Sequence, residues 1–137
     1  PLLPSSATLM VQKEAAERFF AAPGARVYGP LAALAQQYYD LAPVLDVPRA
    51  CFYPQPHVDS AIVHLIRKQT PPALSPQTFF SFLNRAFAMR RKTLKNNFPG
   101  APAAEALAAL GLPANARAES LAPEQLMRLC ERLTGRG

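Results

Sequence analysis

The sequence predicts a chain in two parts, an α/β part followed by an all-α part. The first part contains an apolar run, "ATLMVQ" (residues 7–12), followed directly by a helical pattern, and later an alternating strand-like segment, "VDSAIVHLIRK" (residues 58–68). Between residues 68 and 77 the composition changes to proline and small polar residues, and every periodic segment after it has helical spacing. We therefore predict two domains, at 1–70 and 71–137.

The first part is predicted to begin with a strand and two helices. The apolar run is interpreted as a buried strand, and "QKEAAERFFAA" (residues 12–22) as a helix that ends at the Pro-Gly pair behind it. A second helix has Pro30 in its first turn, and Pro43 is expected to close it. Because a buried strand needs neighbours on both sides, a strand this near the first residue predicts further sequence upstream.

Two antiparallel strands are expected next, and the connection between them has an unusual composition. This connection lies within "CFYPQPHVDSA" (residues 51–61) and contains Pro54 and Pro56, each of which removes a backbone donor and fixes φ. It is longer than a tight hairpin turn. The sequence therefore predicts a rigid loop that carries Phe52 and Tyr53.

The second part is predicted to contain three helices. Ser75 and Pro76 suit the N-cap and the first position of a long helix that reaches about Asn97. A short helix follows and ends at Gly111, and Pro123 begins a last amphipathic helix. The residues of that last helix expected to face the core are Leu126, Leu129, Cys130 and Leu133.

The charge of the chain restricts its function. There are 15 Lys and Arg against 9 Asp and Glu, a formal net charge of +6. Residues 1–70 hold six basic and five acidic side chains, a net of +1, and residues 71–137 hold nine and four, a net of +5. A basic second part favours an acidic partner such as nucleic acid.

Several other classes of site are not indicated. The two cysteines have no C-x-x-C spacing, so neither a disulfide framework nor a metal site is predicted. No run approaches the roughly 18 apolar residues that span a bilayer, and we expect a cytoplasmic protein without membrane contact. His57, Asp59 and Ser60 are the residue types of a hydrolase triad, but neighbours on one strand point to opposite faces. His64, on an apolar strand face, is predicted to be a core histidine.

One half of the predicted long helix is basic. At about 100° per residue, the helical wheel separates the apolar side chains from four cations: Arg85, Arg91, Lys92 and Lys95. No acid lies among them to form pairs one turn apart, and Asn96 and Asn97 suit hydrogen bonds to a sugar-phosphate backbone. The pattern favours nucleic-acid contact, and a merely solvated surface is the alternative.

Two residues of this helix depart from the simple pattern. Arg90 falls in the middle of the apolar arc, so we expect a buried arginine paired with a carboxylate or a helix C-terminus rather than with RNA. Met89 falls at the edge of the same arc, where packing is expected.

The proline-bearing loop has two interpretations. Its aromatic side chains would fill the core, which composition alone slightly favours. Alternatively, the rigid loop presents a ring to an unstacked base, as enzymes that act on a base require. The residues of the loop leave both interpretations open.

Five segments together resemble the ribosomal RNA adenine dimethyltransferase family. In order and spacing they are "MVQKEAAERF", "YGPLAALAQQYY", "PVLDVPRACFYPQPHVDSAIVHL", "AFAMRRKTLKNN" and "RAESLAPEQ". The blocks F-x-P-x-P-x-V-D-S-A and R-R-K-T-L-x-N are the most specific. The pattern is most similar to the bacterial enzymes that dimethylate N6 of two adjacent adenines near the 3′ end of small-subunit (16S) rRNA.

The resemblance implies the C-terminal part of a Rossmann-like methyltransferase sheet, followed by a small helical RNA-binding domain. It implies methyl transfer from S-adenosylmethionine, bound mainly by a glycine-rich loop, an acidic residue and an N-L-P-Y motif that all lie upstream in the family. No cofactor-binding residue is implied within these 137 residues, and we expect the chain alone to be inactive.

The resemblance also implies roles for individual residues. Phe52 is the catalytic-site ring that stacks on the target adenine, Tyr53 flanks it, and Pro54 and Pro56 stiffen the loop. The RNA-backbone contacts are implied for Arg91, Lys92 and Lys95, with Arg85 nearby. Met89 stands where the family commonly has glutamine.

The implied partners are small-subunit rRNA and the immature 30S subunit, bound by a monomer. A large-subunit rRNA adenine methyltransferase of the macrolide-resistance type is one alternative, because it shares the F-x-P-x-P loop. The R-R-K-T-L and R-A-E-S-L segments favour the small-subunit enzyme. A non-catalytic RNA-binding or ribosome-assembly module is the other alternative.

Overall fold

The computed structural model describes residues 3–100 and 102–135, and it contains a small sheet followed by helices. The elements in chain order are β1 (Ser6–Gln12), α1 (Lys13–Phe19), α2 (Pro30–Tyr38), β2 (Tyr39–Val47), β3 (Ser60–Arg67), α3 (Pro76–Ala86), α4 (Leu94–Asn97), α5 (Ala103–Ala109) and α6 (Pro123–Thr134). Single 3-10 turns lie at Arg49–Cys51 and Ala118–Ser120. The predicted order of an α/β part and an all-α part is confirmed.

The sheet has β3 at its centre. Its strand order is β1-β3-β2, and β3 is antiparallel to both neighbours. The prediction that α2 reaches Pro43 is wrong, because α2 ends at Tyr38 and the chain enters β2 at once. Pro43 lies within β2 beside an irregularity in register, and an edge strand accepts proline at such a place because one N–H need not pair.

Strand β1 is less buried than its sequence predicts. Among the described residues it pairs with β3 alone, and Leu9 and Met10 are exposed, Met10 by 56%. The described residues supply one of the two neighbours that the sequence predicts for β1, so burial of this strand between two neighbours stays a prediction. The apolar composition of both strand faces was its basis, and composition does not report which neighbours are present.

Two hydrophobic clusters share helix α2. The smaller cluster joins α1 to the sheet and consists of Ala16, Phe19, Ala35, Ala61, Val63 and Leu65. The larger cluster is built from the helices and from Tyr28, and it includes Ala32, Ala33 and Tyr38 of α2. The hydroxyls of Tyr28 and Tyr38 donate to the carbonyls of Leu121 (2.7 Å) and Leu74 (2.6 Å). Helix α2 therefore packs against both parts of the molecule.

His64 is only partly a core residue. Its ring is half-buried, and Nδ1 lies 2.8 Å from the hydroxyl oxygen of Thr8 on the neighbouring strand. The predicted hydrogen-bonded histidine is present, but it is not fully enclosed.

The helical part begins as predicted and then departs from the prediction. The Ser75 hydroxyl accepts a hydrogen bond from the N–H of Thr78 (3.2 Å) at the start of α3. The predicted continuation to Asn97 is wrong, since α3 ends at Ala86 and a turn over residues 87–93 separates it from α4. The side chain of Asn97 donates to the Ala86 carbonyl at the end of α3 (3.0 Å) and so helps the helix to stop there.

The last two predicted helices are confirmed. Helix α5 is followed by Gly111, whose φ of 70° suits a glycine at a helix end. Pro123 is the first residue of α6, and Leu126, Leu129 and Cys130 are fully buried. In the part of the chain that the structure describes, no helix combines the length and apolar character needed to cross a membrane.

Candidate functional site

The loop between β2 and β3, residues 48–59, holds Phe52 just after a 3-10 turn. The N–H of Cys51 donates to the carbonyl of Pro48 (3.0 Å), and the N–H of Phe52 donates to that of Arg49 (3.2 Å). These local bonds fix the backbone as far as Phe52. We name residues 48–59 the substrate loop, after the role that the family resemblance implies for Phe52.

Asp59 joins the two ends of the substrate loop. One carboxylate oxygen, Oδ1, accepts from the backbone N–H of Arg49 (2.8 Å), and the Asp59 carbonyl accepts from the N–H of Lys13 at the start of α1 (3.0 Å). The Arg49 side chain also donates to the His57 carbonyl (3.3 Å). Sequence reasoning considered Asp59 only as a triad candidate, although aspartate commonly accepts hydrogen bonds from backbone at loop ends.

The aromatic side chains of the substrate loop differ in exposure. Phe52 is half-buried and Tyr53 is fully exposed. Among the described residues Phe52 belongs to neither hydrophobic cluster, so the structure gives no support to the interpretation that it fills the core. Pro54 is exposed and Pro56 is half-buried.

A polar cleft of about 300 Å³ lies at the base of the substrate loop. It is lined by the N-terminal end of α1 and by Arg49, His57 and Asp59. Acidic and basic side chains both line this cleft. The described residues contain no group of three or more His, Cys, Asp or Glu arranged to hold a metal ion.

The four predicted RNA-binding cations do not share one helix. Arg85 lies on α3, Arg91 and Lys92 lie in the 87–93 turn, and Lys95 lies on α4. The single basic helix face is therefore wrong, although all four side chains are exposed.

Arg85 differs from the other three cations because it contacts its own chain. Its Nε donates to the Asn97 carbonyl (3.1 Å), and its guanidinium carbon lies 4.8 Å from the centre of the Phe98 ring. Within residues 3–100 and 102–135, the side chains of Arg91, Lys92 and Lys95 have no ion pair and no hydrogen bond. Three cations are thus free for an anionic ligand.

Three other predictions about this region need correction. Arg90 pairs with Glu119 (3.4 Å), as expected, but its side chain is 41% exposed and not buried. Met89 is 53% exposed and does not pack, because the helix has already ended. Asn97 is only 8% exposed, and its amide donates to the carbonyls of Ala86 and Met89, so it is not available to a sugar-phosphate backbone.

Residues 3–135 match the family model described as ribosomal RNA adenine dimethylase. Three relatives carry the name "Ribosomal RNA small subunit methyltransferase A". The Thermotoga maritima protein is 41% identical over 127 residues, which are 92% of this chain and 43% of the relative. The Chlorobaculum parvum protein is 42% identical over 132 residues, which are 94% of this chain and 46% of the relative. A Haemophilus influenzae protein is 44% identical over 124 residues, which are 88% of this chain and 42% of the relative. The chain spans slightly less than half the length of these relatives.

Solved structures confirm the fold class. A dimethyladenosine transferase from Plasmodium falciparum superposes with a TM-score of 0.83 at 25% identity, covering 97% of this chain and 58% of that chain. The 23S rRNA methyltransferase ErmE superposes with a TM-score of 0.61 at 28% identity, covering 95% and 55%. The family match includes both the substrate loop and the turn over residues 87–93. The chain therefore belongs to the ribosomal RNA adenine dimethylase family.

Proposed function

We propose that this chain is the substrate-loop and RNA-binding part of an enzyme that dimethylates two adjacent adenines near the 3′ end of small-subunit rRNA. The observation that carries the proposal is the match to small-subunit methyltransferases over about nine-tenths of the chain. S-adenosylmethionine is the methyl donor that the family resemblance implies. We further propose that the protein is a cytoplasmic monomer that acts on the immature 30S subunit.

The described residues do not fit a cofactor cradle. The glycines with positive φ are Gly24, Gly100, Gly111 and Gly135. None of them follows a strand of the sheet, where a glycine-rich cofactor loop would be required. We therefore assign this chain no step in holding the methyl donor.

Phe52 is proposed to hold the target base. An adenine inside a stacked helix does not expose its amino group to an enzyme, so the base must leave the stack and rest on an aromatic face. Hydrogen bonds within residues 48–52 fix the backbone up to Phe52, and the bond between Arg49 and Asp59 closes the loop at its base. Such preorganisation lowers the entropy lost on binding, and Tyr53 and the two prolines would flank the base.

Arg91, Lys92 and Lys95 are proposed to bind phosphates of the rRNA. All three are exposed and have no acidic partner within the described residues. Cations that neutralise phosphates release counterions, which makes binding dependent on salt. Arg85 would contribute less, because its guanidinium is already engaged by Asn97 and Phe98.

The two alternative functions, a large-subunit rRNA methyltransferase and a non-catalytic RNA-binding module, predict different products. A large-subunit enzyme is favoured by the similarity to ErmE, but the TM-score of 0.61 is lower than the 0.83 for the dimethyladenosine transferase. A non-catalytic RNA-binding module would bind RNA without transferring a methyl group.

The activity is tested with a chimera in which this chain replaces the matching region of the Thermotoga maritima relative. We expect the chimera to methylate small subunits that lack the modification, with the unaltered relative as positive control. Methyl incorporation into large subunits alone would favour the macrolide-resistance type. A chimera that is folded by circular dichroism, binds rRNA and transfers no methyl group would favour the non-catalytic module.

The role of Phe52 is tested in the same chimera. Phe52→Ala should lower kcat/KM by roughly tenfold to a hundredfold, the effect of losing about 1–3 kcal/mol of stacking on a base. Phe52→Tyr keeps the ring and should retain most activity. Tyr53→Ala serves as the neighbouring control and should have the smaller effect.

A further inference from the structure

The turn over residues 87–93 presents Arg91 and Lys92, although few backbone hydrogen bonds hold it. Residues 88–92 are exposed. The N–H groups of Phe87 and Ala88 donate back into α3, to the carbonyls of Leu83 (2.9 Å) and Arg85 (3.3 Å). Within the turn, the N–H of Lys92 donates to the Met89 carbonyl (2.9 Å). A turn held by these bonds alone would leave the two cations in many arrangements.

Asn97 holds the turn from the protein interior. Its buried amide nitrogen donates to the carbonyls of Ala86 (3.0 Å) and Met89 (3.3 Å), one at the end of α3 and one inside the turn. The backbone carbonyl of Asn97 accepts a hydrogen bond from Nε of Arg85. Removing the amide would leave the buried Ala86 carbonyl without this partner, which is more costly than losing an exposed hydrogen bond, whereas the Met89 carbonyl would still accept from the N–H of Lys92.

Two further contacts hold the turn to the segment before α6. Arg90, in the middle of the turn, pairs with Glu119 (3.4 Å). At its end, the N–H of Leu94 donates to the carbonyl of Ala116 (2.9 Å). The residues on either side of Arg91 and Lys92 are therefore fixed, while these two side chains project without a partner among the described residues.

We infer that Asn97 is a positioning residue for RNA binding, which acts by holding Arg91 and Lys92 where both reach phosphates of the same RNA segment. The inference rests on the proposed function, because it requires that these two cations bind RNA. Asn97 itself is too buried to contact the RNA.

The test compares Asn97→Ala with Asn96→Ala in the chimera with the Thermotoga maritima relative. Neither change alters the net charge, so a change in salt dependence reports where the cations lie and not how many there are. The dissociation constant is measured for a small-subunit rRNA fragment containing the 3′ end, at several salt concentrations. We expect Asn97→Ala to weaken binding and to reduce the slope of log affinity against log salt by about one to two, since each phosphate contact contributes about 0.7–0.9. Asn96→Ala, at an exposed position, should leave the slope unchanged.

A combined variant separates positioning from general destabilisation. Arg91→Ala with Lys92→Ala should reduce the slope by about two, and adding Asn97→Ala should then change the affinity little, because the residues through which it acts are gone. Met127→Ala removes a buried side chain of α6 and should lower Tm while leaving the slope intact. All binding is measured at a temperature where circular dichroism shows each variant folded.

The outcomes distinguish the two proposals. An unchanged slope for Asn97→Ala, or an undiminished effect of it in the combined variant, overturns the inference and leaves RNA binding by the turn in place. An unchanged slope for the Arg91 and Lys92 variant, or no rRNA binding by the otherwise unaltered chimera, overturns both.

Discussion

At the scale of single residues, Asp59 has more effect on the proposed site than its position outside the aromatic pair suggests. Its carboxylate accepts a hydrogen bond from Arg49, near the start of the substrate loop, and its carbonyl accepts one from Lys13 at the start of α1. A loop closed at its base in this way constrains the position of Phe52. The geometry of the ring therefore depends on a residue seven positions later.

Replacing Asp59 should affect methyl transfer more than binding. In the chimera, we expect Asp59→Ala to lower kcat by between about tenfold and a hundredfold, because displacing a substrate-positioning group by about 1 Å has effects of that size. Asp59→Asn keeps an acceptor oxygen and should restore much of the rate. Asp46→Ala is the control, since the Asp46 side chain forms an exposed pair with Lys13 (4.0 Å) and no other ion pair within the described residues; equal kcat for Asp59→Ala and Asp46→Ala would contradict the role.

Buried tyrosine and cysteine side chains predict instability in alkali. Burial, and then the nearby Cys130 and Glu131, raise the pKa of Tyr38 from 10.0 to about 12. Burial, and then Glu131, raise the pKa of Cys130 from 9.0 to about 11. Folding favours the protonated forms of both side chains. Their contribution to the free energy of unfolding is therefore complete below pH 9 and is lost as the pH rises through their folded-state pKa values.

We expect the free energy of unfolding, measured in urea, to fall as pH rises above 9. Cys130→Ala and Tyr38→Phe each remove a group that titrates, and each should make the decline shallower. A decline that both variants leave unchanged would show that other groups cause it.

At the scale of elements, the residues that cap or begin helices in the second part of the chain predicted boundaries correctly, whereas Pro43 did not mark the end of α2 and periodicity overestimated the length of α3. Ser75, Gly111 and Pro123 lie at the boundaries expected of them, because capping and φ preferences are local. Apolar spacing continued past Ala86, yet the helix stops there. A part of the cause is a hydrogen bond from Asn97, eleven positions later, and no local pattern reports such a contact.

The candidate site also combines features that neighbouring residues determine with contacts between residues distant in sequence. The prolines predicted a loop and the resemblance implied a role for Phe52, both from adjacent residues. The hydrogen bond between Asp59 and Arg49 joins residues ten positions apart, and the Arg90–Glu119 pair joins residues 29 apart. These contacts depend on how the elements pack, which is why sequence reasoning missed Asp59 and treated Asn97 as a surface residue.

The N-cap of α3 can be tested directly. Ser75→Ala removes the acceptor for the Thr78 N–H and should lower the free energy of unfolding by about 1 kcal/mol. Ser81→Ala is the matched control, because Ser81 is exposed in the middle of the same helix and alanine is favoured there. Equal urea midpoints for the two variants would mean that the cap contributes nothing.

At the scale of the whole molecule, we expect the outer edge of β1 to be a site for association. Exposed edge strands with apolar side chains pair with other chains unless charge or a covering segment prevents it. Among the described residues, nothing pairs with the outer edge of β1, and Met10 is exposed. We therefore expect the chain studied by itself to aggregate through this strand.

Met10→Lys should raise the protein concentration at which light scattering begins. Ile66→Lys is the charge-matched control, since Ile66 is 51% exposed but lies on the central strand β3. Equal improvement by both variants would attribute the effect to net charge and not to the strand edge.

The position of helix α2 also determines the order in which the protein can fold during synthesis. The hydroxyl of Tyr28 bonds to Leu121, 93 positions later, and α2 shares its larger cluster with α6 near the C-terminal end of this chain. Chains with such distant contacts fold slowly. Until the ribosome has made residues 123–134, the apolar face of α2 has no α6 to cover it, so we expect the nascent chain to expose this apolar surface until α6 emerges.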